Sequence, residues 1–225
     1  MSEDGNDTIP LEPVVQQSTP SLVASQVREA IAQGHIAPGS QLHETALAKQ
    51  LGVSRGPLRE GLQRLTQEGL LVSHRNRGLF LIEMSPENIR DMYLAREGIE
   101  RTAAAQVHRL DPYPVRSELL VAVEQMDRSA RSGDVVAVSE ADLRFHQALV
   151  RGSKSPRLQR VHETVLTETR MCIRALEPTY ADPQTRVTEH RAIAESFVEG
   201  GAARTDELLV DHMADALERL IAQQQ

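Results

Sequence analysis

The chain has 225 residues and a formal charge of −7, with 25 Lys and Arg against 32 Asp and Glu. Its 40% hydrophobic and 25% charged residues predict one or two globular domains rather than a disordered chain. No apolar run reaches the roughly 20 residues of a membrane span, and the N-terminus has no basic or apolar leader. Cys172 is the single cysteine, which excludes an internal disulfide framework and a cysteine-based metal cluster. We therefore expect a soluble cytoplasmic protein without a membrane partner.

The acidic total hides an uneven distribution of charge along the chain. Residues 1–20 contain acids and prolines but no Lys or Arg, and are predicted to be a disordered acidic tail. Residues 21–85 contain seven Lys and Arg against five Asp and Glu, whereas residues 86–225 are net acidic. The whole-chain charge argues against nonspecific polyanion binding, but it allows a local basic surface within residues 21–85.

Residues 21–85 have the pattern of a winged helix-turn-helix. Apolar residues at helical spacing predict a first helix that begins at Leu22 and ends at Gly34. Two further helices and two short strands are predicted at about residues 44–51, 55–68, 70–73 and 79–82. The strands flank a polar tip, which is typical of a β-hairpin. Helix, helix-turn-helix and hairpin in this order predict a DNA-binding domain.

From Ser85 to the C-terminus the pattern is helical, without strand-like alternation. Breaks at Pro and Gly divide it into six predicted helices, at about residues 86–109, 112–131, 134–151, 155–176, 183–199 and 203–223. Amphipathic helices joined by short loops predict an antiparallel bundle. The predicted fold class is therefore mainly α: a winged helix-turn-helix with a small β-hairpin wing, followed by an all-helical bundle over residues 86–225.

The third predicted helix carries a signal for nucleic acid. Arg55 and Arg59 lie four residues apart on one face, at the N-terminal end that a recognition helix inserts into the major groove. The hairpin tip is basic and contains Gly78, which permits close approach to a phosphate backbone. An isolated arginine pair is more often a solvated helix face. The position of this pair in a helix-turn-helix favours DNA contact instead.

Four polar residues of the bundle fall on or beside the apolar stripes of three helices. Asp142 and His146 are four residues apart on one helix, and His190 and His212 lie on two others. Burying a carboxylate and three imidazoles without partners is costly, and a shared divalent cation removes that cost. Their nitrogen and oxygen atoms suit Zn²⁺, Ni²⁺, Mn²⁺ or Fe²⁺. Hydrogen-bonded core histidines are the alternative, and the pattern alone leaves both interpretations open.

Arg96 lies on the inward stripe of the first bundle helix, one turn before Glu100. One interpretation is a buried ion pair between these two side chains. The other is that the planar guanidinium binds the carboxylate of a small ligand, for which its fork of donors is well suited. The residues alone leave both interpretations open.

Part of the chain closely resembles the N-terminal domain of GntR-type bacterial transcription regulators, namely IAQGHIAPGSQLHETALAKQLGVSRGPLREGLQRLTQEGLLVSHRNRGLFL. The resemblance includes the PG turn, the LGVSR string and the wing. It implies DNA contact by Arg55 and Arg59 of the recognition helix, Thr45 and Ser54 near phosphates, and Arg77 and Gly78 of the wing in the minor groove.

The strings AREGIERTAA, ADLRFHQALV, TEHRAIAESFVEG and LLVDHMADAL resemble the FCD effector domain of the FadR subfamily. That resemblance implies that Asp142, His146, His190 and His212 are metal-ligand positions, and that Arg96 faces the effector. It also implies a homodimer that presents two recognition helices to a palindromic operator. Six bundle helices rather than seven place the chain nearer the branch with smaller effector domains than the acyl-CoA-binding type.

Together these features predict a DNA-binding regulator, a repressor, whose operator affinity changes when a small organic acid binds at the metal and Arg96. Two other functions stay open. One is a metal-dependent enzyme that uses the Asp and His site, and the other is a DNA-binding dimer without a ligand. The chain is predicted not to be an enzyme, because the nearby acids Glu100, Glu189 and Asp211 lack a recognisable general-base motif.

Overall fold

The computed structural model describes residues 18–176 and 183–222. The predicted acidic tail lies outside the described residues except at its end, where Thr19 and Pro20 already belong to the first helix. Ser18 caps this helix by accepting a hydrogen bond from the Ser21 amide. Pro20 fits the first turn because an amide there has no partner within the helix. The helix therefore begins before its apolar pattern does, at Thr19 rather than Leu22.

The N-terminal elements form the predicted winged helix-turn-helix. In chain order they are α1 (Thr19–Ala32), β1 (Gln41–Leu42), α2 (Glu44–Leu51), α3 (Arg55–Gln67), β2 (Leu71–His74) and β3 (Gly78–Leu81). The strands form one antiparallel sheet in the order β1-β3-β2, in which Phe80 lies between Gln41 and Val72. The predicted two-stranded hairpin is thus part of a three-stranded sheet. The sequence gives no sign of β1, because two residues are too few to show alternation.

The apolar sides of these elements meet in one core. Leu58, Leu62 and Leu65 of α3 are buried there, as their spacing predicts, together with Ile31 of α1 and Leu81 of β3. The hydrophobic face of α3 is therefore held against α1 and the sheet. Its opposite face, which carries the two predicted DNA-binding arginines, is left at the surface.

Gly61 lets α3 approach α1 closely. A Cβ atom at this position would lie 2.7 Å from Val23 Cγ1 and 2.9 Å from the carbonyl oxygen of Pro20. Because a backbone carbonyl cannot easily yield, we expect Gly61→Ala to lower the free energy of unfolding by about 1–3 kcal/mol, measured by urea denaturation. Gly56→Ala is the control on the same helix, since a Cβ there meets nothing within 4 Å. Equal destabilisation by the two substitutions would contradict this packing.

The C-terminal elements are the six predicted helices of the bundle. They are α4 (Pro86–Arg109), α5 (Pro112–Ser132), α6 (Val135–Gly152), α7 (Pro156–Leu176), α8 (Pro183–Glu199) and α9 (Gly201–Ala222). Ser85, Asp111 and Asp134 each accept a hydrogen bond from an amide in the first turn of the helix that follows, which fixes where three of them begin. The predicted last residue of α9, at position 223, lies outside the described residues.

Two apolar clusters hold the bundle together. One lies where α5, α6 and α8 meet and contains Leu119, Phe145 and Phe197, and the other joins α4, α7 and α9 around Ile89 and Met213. The buried polar residues described below lie on α4, α6, α7, α8 and α9. Among the described residues, no helix combines the length and apolar character needed to span a membrane.

Helix α7 connects the bundle to the winged helix-turn-helix. Its Met171 belongs to the core of the winged helix-turn-helix. Arg174 Nη1 donates to the carbonyl oxygen of Gln33, at the C-terminal end of α1, at 2.8 Å. The buried Cys172 Sγ lies 3.1 Å from the Sδ of Met84 in the connecting segment. The two halves therefore share both apolar and polar contacts.

Candidate metal centre and nucleic-acid interface

The helix-turn-helix presents its predicted DNA-binding residues at the surface. Arg55 and Arg59 are exposed in the first turns of α3, and Thr45 is exposed in the first turn of α2. Ser54 is the N-cap residue of α3 but makes no side-chain capping hydrogen bond, which leaves its hydroxyl free to meet a phosphate. Arg59 Nε donates to Glu44 Oε2 of α2 at 2.7 Å. This ion pair orients the exposed guanidinium.

The tip of the wing depends on two backbone conformations with positive φ, at Asn76 (61°) and Gly78 (97°). A Cβ atom at Gly78 would lie 2.9 Å from Gln41 Nε2. That amide nitrogen donates to the carbonyl oxygen of Arg77 at 2.6 Å. The Arg77 guanidinium lies 5.3 Å from the ring centroid of Phe80, within the range of a cation–π contact. The unpredicted strand β1 thus supports the wing tip through Gln41.

The recognition helix and the wing line a common surface cleft. Arg59 and Gln63 of α3, Ser73 of β2 and Gly78 of β3 all contribute to it. All six residues that the resemblance assigns to DNA contact are exposed. Helix α3 and the wing therefore contribute to one surface.

Asp142 and His146 of α6, His190 of α8 and His212 of α9 meet inside the bundle, and all four are buried. One potential ligand atom from each lies within 4.8 Å of the others. His146 Nε2 is 3.2 Å from His190 Nε2 and 3.3 Å from His212 Nε2. Asp142 Oδ1 is 3.1 Å from His190 Nε2. The structure therefore brings together the four residues that the sequence singles out.

The outer nitrogen of each imidazole faces an acceptor. His146 Nδ1 lies 2.7 Å from Glu100 Oε2, and His212 Nδ1 lies 3.3 Å from Glu189 Oε2. His190 Nδ1 lies 2.8 Å from the carbonyl oxygen of Arg186. Carboxylate and carbonyl oxygens only accept hydrogen bonds, so each Nδ1 carries a proton. The three Nε2 atoms face one another, and that of His190 also lies 3.1 Å from Asp142 Oδ1.

This arrangement makes the centre a good fit for a divalent cation. Three Nε2 atoms and a carboxylate oxygen of Asp142 converge in a buried site, where one cation would bind the lone pairs of all four. The Nε2 separations of 3.2 and 3.3 Å match the spacing of two ligands at about 2.1 Å from one metal. An outer hydrogen bond to a carboxylate or carbonyl is also the usual support of a metal-binding imidazole.

The surroundings keep the imidazoles of His146 and His212 neutral, as metal ligands must be. Burial lowers the pKa of His146 to about 3, with a further contribution from the charge of Arg96, and burial also lowers the pKa of His212. Burial alone would raise the pKa of Glu100. The contacts with His146 and the charge of Arg96 instead hold the pKa of that carboxyl well below its usual value. Glu100 is therefore an ionised acceptor next to neutral histidines.

Arg96 is almost completely buried beside this centre. Its Nε donates to Glu100 Oε1 at 2.8 Å, so the buried ion pair that the sequence suggests is formed. Its Nη2, however, is a buried donor without a hydrogen-bond partner among the described residues. An unpaired buried donor costs about 1–3 kcal/mol. The ion pair thus uses only part of the guanidinium fork, and the remaining donor can serve a ligand.

The network around Glu100 extends beyond the residues predicted from the sequence. His162 of α7 is buried, with Nε2 3.1 Å from Glu100 Oε1. Glu100 consequently contacts Arg96, His146 and His162 at once. The position of His162 near the inward stripe of α7 is the sequence signal that indicates its burial. Glu189 supports His212 and contacts Arg219, which could not be inferred from helical spacing alone.

Comparison with known proteins identifies both halves of the chain. The family profile described as bacterial regulatory proteins, gntR family, matches residues 21–81, and the profile described as FCD domain matches residues 91–215. The chain is 33% identical over 128 residues to an uncharacterized HTH-type transcriptional regulator of Agrobacterium vitis, a match that covers 55% of this chain and 74% of the relative. It is 28% identical to a probable D-xylose utilization operon transcriptional repressor of Paenarthrobacter nicotinovorans, over 87% of this chain and 88% of the relative.

Solved structures agree with this assignment. A putative GntR transcriptional regulator from Rhodococcus sp. RHA1 superposes with a TM-score of 0.75 at 27% identity, covering 92% of this chain and 99% of that one. The E. coli protein McbR/YncC has the same fold, with a TM-score of 0.78 at 19% identity over 93% of this chain and 100% of that one. Relatives of known class are transcription regulators, which confirms the prediction that the chain is not an enzyme. The protein belongs to the GntR family of bacterial regulatory proteins, as a DNA-binding transcriptional regulator with the FCD domain predicted for the FadR subfamily.

Proposed function

We propose that this protein is a repressor whose operator affinity is controlled by a small organic acid bound at the four buried Asp and His residues of the FCD domain. The observation that carries this proposal is the convergence of three Nε2 atoms and the Asp142 carboxylate near Arg96, whose Nη2 has no hydrogen-bond partner among the described residues. A cation and a carboxylate together would satisfy these groups. Repression is supported by the names of two relatives, the probable D-xylose utilization operon transcriptional repressor and a gluconate operon transcriptional repressor of Bacillus subtilis.

Residues 21–85 are proposed to bind the operator. Arg55 and Arg59 would read base edges in the major groove, where an arginine pairs bidentately with guanine. Thr45 and Ser54 would contact phosphates, and Arg77 and Gly78 would reach the minor groove. The exposure of all six residues supports these roles.

Asp142, His146, His190 and His212 are proposed to hold a divalent metal ion, with Zn²⁺, Ni²⁺, Mn²⁺ and Fe²⁺ as candidates. When bound, the ion would act as a Lewis acid that attracts a carboxylate oxygen. Glu100, Glu189 and the carbonyl oxygen of Arg186 would orient the imidazoles, and Arg96 would donate its free Nη2 to the ligand. A small carboxylic acid is the class of effector that this arrangement suits best.

Residues 86–225 are proposed to bind the effector and to form the homodimer. A two-fold dimer would present two copies of α3 to the two halves of a palindromic operator. The acid can change operator affinity only if it binds the DNA-competent and DNA-incompetent arrangements unequally. A coupling free energy of about 1–3 kcal/mol would change operator affinity by about 5–150-fold. Helix α4 supports such coupling, because it begins at the connecting segment and carries Arg96.

Arg96→Lys tests the effector site directly. Lysine keeps the positive charge beside Glu100 but lacks the second donor of the guanidinium fork. In a thermal-shift screen of metal-loaded protein against small mono- and dicarboxylates, we expect the acid that stabilises the wild type to lose most of its effect in this variant, while metal content is retained. Arg101→Lys is the control, because Arg101 lies on the same helix but pairs with Glu97 and Asp206 outside the proposed site. An equal shift in wild type and Arg96→Lys would contradict the assignment.

A further inference from the structure

We propose a second ligand site between the DNA-binding domain and the bundle, which binds a small oxyanion such as a carboxylate or inorganic phosphate. The site is a cavity of about 210 Å³ that we call the joint cavity. It is lined by Ser25 and Arg28 of α1, Arg144 and Gln147 of α6, and Thr167 and Arg170 of α7. It lies outside the site proposed for the effector and extends the proposed function.

Two arginines in the joint cavity have buried donors without acceptors. Arg28 uses Nη2 to bind Glu68 at 2.6 Å, and Arg170 uses Nη2 to bind Glu140 at 2.9 Å. The Nε atoms of both arginines are buried and have no hydrogen-bond partner within the described ranges. Buried N–H groups normally have an acceptor. Arg28 and Arg170 both line the cavity, so an oxyanion bound there would supply an acceptor to each Nε.

Both donors and carboxylates line the joint cavity. Arg144 is exposed and adds a third guanidinium, whose Nε donates to Gln125 at 3.1 Å. Glu29 and Glu163 also line the cavity, and the Glu29 carboxylate accepts from Gln33 Nε2 at 2.7 Å along α1. Because Glu68 and Glu140 balance Arg28 and Arg170, and Glu29 and Glu163 outweigh the charge of Arg144, recognition would depend on hydrogen-bond donors rather than on net charge. The volume suits a small ion rather than a nucleotide.

The position of the joint cavity connects it to both functions of the protein. On α6, Arg144 and Gln147 alternate with the candidate metal ligands Asp142 and His146, so opposite sides of one helix face the two sites. On the other wall, α1 packs directly against the recognition helix α3. An ion that bridges α1 to α6 and α7 would therefore stabilise one relative orientation of the two domains.

Calorimetric titration of sodium malonate and of inorganic phosphate into the full-length, metal-loaded protein tests this proposal. We expect binding of at least one of the two, and a dissociation constant raised about tenfold or more by Arg170→Lys, which keeps the charge beside Glu140 but removes the Nε donor. Ser25→Glu should have a similar effect, because it places a carboxylate at the exposed edge of the cavity. Arg160→Gln is the control, since this exposed residue of α7 lies outside the cavity.

Chelator-treated protein separates this site from the proposed effector site. Binding that survives chelation and is weakened by Ser25→Glu and Arg170→Lys would support the joint cavity, whatever the fate of the metal proposal. If binding disappears on chelation, or is unchanged by both substitutions, the joint cavity is not the site. If neither anion binds the wild type at up to about 20 mM, a concentration at which even weak millimolar affinity is detected, the proposal is overturned.

Discussion

Arg55→Ala and Arg59→Ala should each reduce specific operator affinity by at least about tenfold, and the double variant should abolish it. Each arginine is exposed at the N-terminal end of α3, where it can reach base edges. In a two-fold dimer each substitution removes a contact from both half-sites, which multiplies its effect. The measurement is the dissociation constant for an operator selected from a random-sequence DNA library, at fixed salt concentration.

Charge loss and misfolding must be separated from loss of base contact. Arg109→Ala removes the same charge from an exposed position at the end of α4, far from α3 in the chain, and should leave operator affinity nearly unchanged. The Arg59–Glu44 ion pair is exposed, so its loss should not lower the melting temperature. Retained specific binding by both arginine variants would show that α3 does not read the operator.

Simultaneous replacement of His190 and His212 by alanine should remove most of the bound metal and lower thermal stability. A ligand present at about 1,000 times its dissociation constant stabilises the folded state by about 4 kcal/mol. For a chain of this size that corresponds to about 8–16 °C in melting temperature. The measurements are metal content per protein chain and the melting temperature with and without chelator.

Removal of two buried imidazoles also leaves a void, which lowers thermal stability by itself. Melting temperatures with and without chelator separate this packing defect from the loss of metal. Chelation should lower the melting temperature of the wild type but not that of the double variant. His108→Ala is the control: His108 hydrogen-bonds Thr205 and stacks on Phe197, away from the four candidate ligands. It should keep its metal and its response to chelator. Unchanged metal content in the double variant would exclude these residues as ligands.

The sequence predicted the helices well because their ends carry local chemical signals. Capping by Ser85, Asp111 and Asp134 and breaks at Pro and Gly are readable without knowledge of the fold. The inward positions of His190 and His212 follow from helical period in the same way. Resemblance to the GntR and FCD families was also needed to assign the two domains, because an arginine pair or an inward histidine is by itself compatible with several functions.

What the sequence could not provide depends on contacts between distant segments. Glu100 contacts His146 and His162, which are 46 and 62 residues away in the chain. Helical period places each of them on an inner face but does not determine which faces meet, or at what height along the bundle. Strand β1 also depends on a distant segment, because its two residues are recognisable as a strand by their pairing with β3. The joint cavity likewise arises from three helices of two domains.

Operator affinity shows whether an acid bound at the metal and Arg96 controls DNA binding. The operator dissociation constant should be measured with a panel of small carboxylic acids, on metal-loaded and on chelator-treated protein. We predict that at least one acid changes the affinity of the metal-loaded protein by about 5–150-fold and has little effect after chelation. If no acid changes the affinity, or if one acts equally on both forms, the protein is a DNA-binding regulator whose FCD domain does not sense acids through a metal.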